Sequence, residues 1–199
     1  KFKPEQKITT IEGIEWQVGR TGKLTPVANI TATQLSGSCI QRVTLHNHRF
    51  VEANKVCPGN KILLEKAGEI IPKVVKVVEQ DEHYENCIPS VCPNCAGEVK
   101  VEGAHLVCQN FTCSAQLEMS VAHYLDRIGC MGIGPSTVKG LVNCGALSDL
   151  SDIYFMNSDD VRVVTGSDTV TRKMLNEVLD KDELPLDIFL SALGIHLLG

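Results

Sequence analysis

Two short cysteine pairs constrain this chain more than any other feature. Cys92-Pro93-Asn94-Cys95 and Cys108-Gln109-Asn110-Phe111-Thr112-Cys113 form C-x2-C, twelve residues, then C-x4-C. A short gap lets both sulfurs of a pair converge on one point. Two such knuckles present four soft thiolates, the donor set of tetrahedral Zn²⁺. Four thiolates leave no open position for water, so such an ion is structural rather than catalytic. The excursion between the knuckles carries Gly97 and Gly103, and so small a segment has almost no apolar core of its own. Metal binding is therefore expected to supply much of its folding energy. The competing readings are unmetallated thiols, a redox pair, or His105 or Cys87 standing in for one ligand. The chain has nine cysteines, and an odd count with four in a tight pattern argues against a disulfide framework. Cys39, Cys57, Cys130 and Cys144 lack paired spacing and are expected to be buried thiols.

Charge is distributed unevenly. The net value is −5, yet residues 1–80 carry 12 Lys/Arg against 7 Asp/Glu. Residues 81–115 carry 1 against 5, and residues 116–199 carry 6 against 12. Only the first segment has the positive excess that a phosphate backbone attracts. No apolar run reaches the ~20 residues that cross a bilayer, so no membrane partner is expected. The charged first residues lack the apolar stretch of a secretory signal. The first residue is Lys1 rather than Met, as in a fragment of a longer chain.

Patterning divides the chain into three. Residues 1–80 read as short strands with glycine turns at Gly19–Gly22 and near Gly37, and one helix around Arg49–Lys55. Lys73-Val74-Val75-Lys76-Val77-Val78 is a plain strand signal. About 75 residues of this kind predict a small closed barrel, with an oligonucleotide-binding (OB) barrel as the natural candidate. Residues 81–115 hold a polar linker and the cysteine module. Residues 116–199 turn helical, with helices expected from Ser114, from Pro135 to about Gly145, and over Leu147–Met156, Val170–Asp180 and Pro185–Leu193. Ser158 followed by Asp159 and Asp160 signals the start of another. The expected class is a multidomain α+β chain.

Between the first two helices lies Gly129-Cys130-Met131-Gly132-Ile133-Gly134-Pro135. A Gly-hydrophobic-Gly turn points backbone N–H groups into a concave nest. The following helix adds the positive end of its dipole. Gly132, Ile133 and Gly134 are thus candidates for holding a phosphate without basic side chains. An ordinary helix–helix turn is the plainer alternative. In the second such turn, Val164 to Thr169, Asp168 replaces a glycine, and a carboxylate repels phosphate. That turn is expected to be structural. A third begins at Ala192-Leu193-Gly194-Ile195.

Taken in order, these motifs resemble the bacterial-type NAD-dependent DNA ligases. The resemblance rests on Val18-Gly19-Arg20-Thr21-Gly22-Lys23-Leu24-Thr25-Pro26-Val27-Ala28, Thr44-Leu45-His46-Asn47 and Ala67-Gly68-Glu69-Ile70-Ile71-Pro72. The cysteine quartet with Ser114-Ala115-Gln116-Leu117, and Met131–Gly134 and Ala192–Ile195, extend it over nearly the whole chain. It implies an OB-fold barrel, a four-cysteine zinc finger and a helix-hairpin-helix domain closing around nicked double-stranded DNA. In that family an adenylation domain takes AMP from NAD onto a lysine, with Mg²⁺. AMP then passes to the 5′-phosphate of the nick, and the 3′-hydroxyl displaces it. No K-x-D-G occurs here, and no BRCT-like tail is recognisable, so no catalytic residue is assigned within the chain.

By the same resemblance Arg20 and Thr21 meet DNA, Lys66 stands where the family usually has arginine, and Ile70 and Ile71 press into the minor groove. Lys1 matches the family's nucleotide-contacting lysine at the end of the adenylation domain. His46 and Asn47 are expected to be turn partners. The partners implied are nicked duplex DNA and an adenylation domain or subunit, in a cytoplasmic, nucleoid-associated setting. The rival readings are a non-catalytic DNA-binding scaffold built from ligase-like modules and a zinc ribbon of transcription.

Overall fold

The computed structural model describes residues 4–67, 71–181 and 183–195. The chain divides into two compact units, Lys1–Phe111 and Thr112–Gly199.

The first unit is built on five antiparallel strands: β1 (Gln6–Val18), β2 (Lys23–Leu35), β3 (Ser38–Thr44), β4 (Lys61–Ala67) and β5 (Ile71–Glu79). β2 shows how sequence becomes structure. Leu24, Ala28 and Ile30 recur at even positions and turn to one face, because successive side chains of a strand alternate. β1 pairs with β2 on one side and β4 on the other, β4 pairs with β5, and β3 pairs with β2. β3 also lies against β5, which curls the sheet into a barrel. Register breaks at Ile11/Gly13 and at Asn29/Thr33 supply the bending that closure requires. Ile11, Ile30, Leu35, Leu45, Val51, Ile62, Leu64 and Val74 fill the interior.

Helix α1 (His48–Ala53) follows β3. Its start is set by Asn47, whose side chain accepts from the Phe50 N–H at 3.0 Å. His46, with φ of 63°, brings its Nε2 to 2.9 Å from the Val74 carbonyl. Both residues are the turn partners that the sequence suggests.

Two further strands, β6 (Val99–Glu102) and β7 (His105–Cys108), form the hairpin between the cysteine pairs. This hairpin is not a free-standing module. Val107 pairs with Lys23 and Leu106 with Leu24, so β7 extends the barrel sheet along β2.

The second unit is helical: α2 (Ser114–Arg127), α3 (Pro135–Asn143), a 3-10 helix (Leu150–Phe155), α4 (Ser158–Thr165), α5 (Asp168–Leu179) and α6 (Leu186–Ala192). Val121, Leu125, Val138, Leu141, Ile153, Val161, Met174 and Val178 make its core. Two sequence expectations change. The Leu147–Met156 helix is shorter and 3-10 in type, and its start at Leu150 is set by the reciprocal capping box of Asp149 and Asp152. The α4 cap is Asn157 rather than Ser158, its side chain accepting from the Asp160 N–H at 2.8 Å. Among the described residues no helix is long and apolar enough to cross a membrane.

Close approach of α3 and α4 depends on Gly140. A Cβ there would lie 2.5 Å from Val164 Cγ1. Valine is stiff at χ1 and cannot swing aside cheaply. Gly140→Ala should therefore destabilise the helical unit by about 1–3 kcal/mol, despite the ~1 kcal/mol helix-propensity gain. Adding Val164→Ala should recover part of the loss in thermal unfolding. A stabilised single variant would contradict the packing.

Candidate metal centre and nucleic-acid interface

The first cysteine knuckle is a tight backbone turn. The Ala96 N–H donates to the Cys92 carbonyl and the Cys92 N–H to the Gly97 carbonyl, both at 2.9 Å. Gly97 is needed for closeness: a Cβ there would meet Cys95 Sγ at 3.2 Å and Asn110 Cβ at 3.1 Å. Cys108 ends β7, and Cys113 caps the N-terminus of α2.

The four sulfurs lie within 4.8 Å of one another, and Cys95 and Cys108 stand 3.7 Å apart. Four thiolates at 2.3 Å around one tetrahedral ion are separated by ~3.8 Å. Cys92, Cys108 and Cys113 are buried. Burial raises the Cys95 thiol, but hydrogen bonds from Asn110, the Gly97 backbone and the neighbouring thiols outweigh it and bring it down to about 6. Burial pushes Cys108 the other way, up to about 12, with the adjacent thiols opposing its ionisation. Four converging sulfurs, three of them buried, suit a soft cation whose binding releases thiol protons. Cys87 and His105 are not in this group among the described residues. Of the other cysteines, Cys57 and Cys130 are buried as expected, whereas Cys39 and Cys144 are exposed. Cys39 falls on an outward position of β3, and Cys144 follows α3, which turns its buried residues Val138 and Leu141 inward.

Arg20 and Thr21 occupy the tip of the β1–β2 hairpin. The Gly22 N–H donates to the Gly19 carbonyl and the Gly19 N–H to the Lys23 carbonyl, both at 2.9 Å. Gly22 takes φ of 76°, the left-handed conformation that ends a three-residue hairpin loop. Thr21 is exposed and Arg20 half-buried.

Lys66 is placed differently from a surface phosphate ligand. It is buried, and its Nζ donates to the Ser36 carbonyl and to Ser38 Oγ, each at 3.2 Å. Ser36 in turn donates from N and Oγ to Glu5 at 2.8 and 2.9 Å. Those bonds hold the Glu5 carboxyl below its ordinary range. The ammonium thus pins the β2–β3 turn to β4. Nothing in the local sequence signals this, because a lysine's charge does not report its burial.

Ile71 is exposed at the start of β5. Ile70 and Lys1 lie outside the described residues.

In the helical unit Gly129 and Gly132 have φ of 70° and 82°. Gly134 precedes α3 as its N-cap, with Pro135 in the first turn. Gly132, Ile133 and Gly134 therefore stand together just before a helix start. The Met131 N–H donates to Glu177 Oε1 at 3.1 Å, a contact with no sequence signature. Asp168 lies 3.5 Å from Arg162.

The whole chain aligns with the DNA ligase of Halorubrum lacusprofundi at 36% identity, covering 29% of that protein. It aligns likewise with the DNA ligases of Geotalea uraniireducens and Petrotoga mobilis, each at 33% identity and 31% of their length. Residues 8–86 match the family model described as the NAD-dependent DNA ligase OB-fold domain. The chain belongs to the NAD-dependent DNA ligase family. The barrel of this ligase chain, from β1 to β5, is thus an OB fold carrying Arg20 and Thr21 on its β1–β2 turn. The ligase chain spans about 30% of the length of the curated relatives that it matches.

Proposed function

We propose that this chain grips nicked duplex DNA as part of a ligase whose adenylation step is performed by another segment or subunit. The carrying observation is the OB-fold match over residues 8–86, with half-buried Arg20 and exposed Thr21 at the β1–β2 hairpin tip. An arginine there meets a phosphate with a planar fork of donors. Thr21 adds a hydroxyl, and Ile71 offers an exposed apolar side chain to the minor groove, where such wedges deform the duplex.

The three segments, 1–80, 81–115 and 116–199, act as barrel, zinc finger and helix-hairpin-helix domain. Support for the last comes from the left-handed glycines around Met131 and the helix that starts after Gly134. The N–H groups of Gly132, Ile133 and Gly134 would then hold phosphate from an otherwise acidic segment. Cys92, Cys95, Cys108 and Cys113 hold Zn²⁺, which cross-links the two knuckles. NAD and Mg²⁺ serve the complete enzyme, NAD being the source of AMP. Lys1 and Ile70 keep their sequence-based roles as nucleotide contact and groove wedge. Lys66 supports DNA binding from inside the barrel, by fixing the β2–β3 turn. The setting is the cytoplasm, beside the nucleoid.

Arg20→Ala tests the reading. Binding to a nicked duplex, followed by fluorescence anisotropy over a salt series, should weaken. Its log–log salt slope should fall by about 0.9, the share of one phosphate contact. An unchanged slope and affinity would remove Arg20 from the interface.

A further inference from the structure

We infer that the cysteine hairpin is a positioning element for the Arg20 turn of the barrel. The inference rests on the DNA-gripping role proposed above and adds to it a cause for the turn's fixed pose.

Three contacts inside the first unit carry it. The Cys108 N–H donates to the Gly22 carbonyl at 2.9 Å. Lys23 pairs with Val107 and Leu24 with Leu106. His48 Nδ1, on α1, lies 3.2 Å from the Ala104 carbonyl at the opposite end of the hairpin. One metal-ligand candidate, Cys108, thus has its backbone bonded to the residue that closes the loop bearing Arg20 and Thr21.

The physical consequence follows from how hairpin tips behave. Loops open locally at low free-energy cost, and pairing of a flanking strand on its outer side restrains that opening. Here that outer side is β7. Leu24 is fully buried and Leu106 nearly so, so the brace is also an apolar contact. β7 itself is only four residues long. Too short to hold its own conformation, it takes order from the cluster that contains Cys108 at its end. The sulfur cluster therefore restrains the basic tip through β7.

Amide hydrogen exchange on this chain tests the inference without DNA. The zinc-loaded chain is compared with chelator-treated chain and with Leu106→Ala, which keeps all four cysteines. Chelation should speed exchange at Gly19 and Gly22 by about tenfold or more, as local opening does. Ile11, whose N–H donates to the Asn60 carbonyl inside the barrel, should keep its protection. Leu106→Ala should retain its metal and show a smaller acceleration at the same two amides. Unchanged Gly19 and Gly22 exchange after chelation would overturn the inference. So would equal loss of protection at Ile11, since the metal would then stabilise the barrel as a whole. A second arm measures nicked-duplex affinity. Arg20→Ala should cost less in the Leu106→Ala background than in the parent, because a loosened tip makes less use of the arginine. Additive losses would contradict the coupling. If Arg20→Ala were silent in the parent, the DNA reading would fail while the exchange result stood.

Discussion

Cys95→Ser is expected to abolish stoichiometric metal binding and to unfold the hairpin of β6 and β7. Cys95 sits 3.7 Å from Cys108 within a cluster whose sulfurs all lie within 4.8 Å of one another. Serine offers a hard, protonated oxygen in place of a soft thiolate. The hairpin has short strands and exposed side chains along β6, so it has little core of its own. Apparent binding energies of structural zinc run about 10–16 kcal/mol in small metal-dependent folds. Losing most of that exceeds anything eight paired residues regain from hydrogen bonds. Elemental analysis should fall from about one zinc per chain to near zero, and amide signals of Val99–Cys108 should lose dispersion. Full metal content with an intact hairpin would remove Cys95 from the ligand set.

Leu64→Ala in the barrel should cost about 2–5 kcal/mol, the range for truncating a buried leucine. Leu64 is fully buried and stands in register between Lys7 of β1 and Val74 of β5. The void would open among Ile11, Ile62 and Val74, on strands fixed by pairing on both sides of β4. Such a site collapses poorly. Small domains have only about 5–15 kcal/mol of stability in total, so the urea midpoint of the barrel transition should drop sharply. Trp16, whose Nε1 donates to the Cys87 carbonyl at 2.7 Å, reports that transition by fluorescence. A loss below about 1 kcal/mol would mean that the interior repacks around the gap.

What the sequence revealed and what it hid divide along a physical line. Local signals were readable. The spacing of Cys92, Cys95, Cys108 and Cys113 announced convergence, and the sulfurs do converge. The valine run over 73–78 falls within β5, and Gly129 and Pro135 bracket the turn between α2 and α3. Distant pairings were not readable. Nothing in Lys23 or Val107 says that they meet, so residues 81–115 read as a separate module although β7 joins the barrel sheet. Lys66 had the charge of a phosphate ligand and lies buried against Ser36 and Ser38. Cys39 and Cys144 were expected inside because thiols usually are, yet their positions on β3 and after α3 face outward.

Nick sealing in trans tests the central claim most directly. A purified adenylation domain from a related ligase, with NAD, Mg²⁺ and a nicked duplex, is assayed with and without this zinc-loaded chain. Sealing should rise at least about tenfold when the chain is added, since holding the reacting ends in place accelerates a step otherwise limited by encounter. The chain alone with NAD should form no lysine–AMP adduct. Equal sealing with and without the chain, despite its binding to the duplex, would mark it as a scaffold and contradict its part in the ligase.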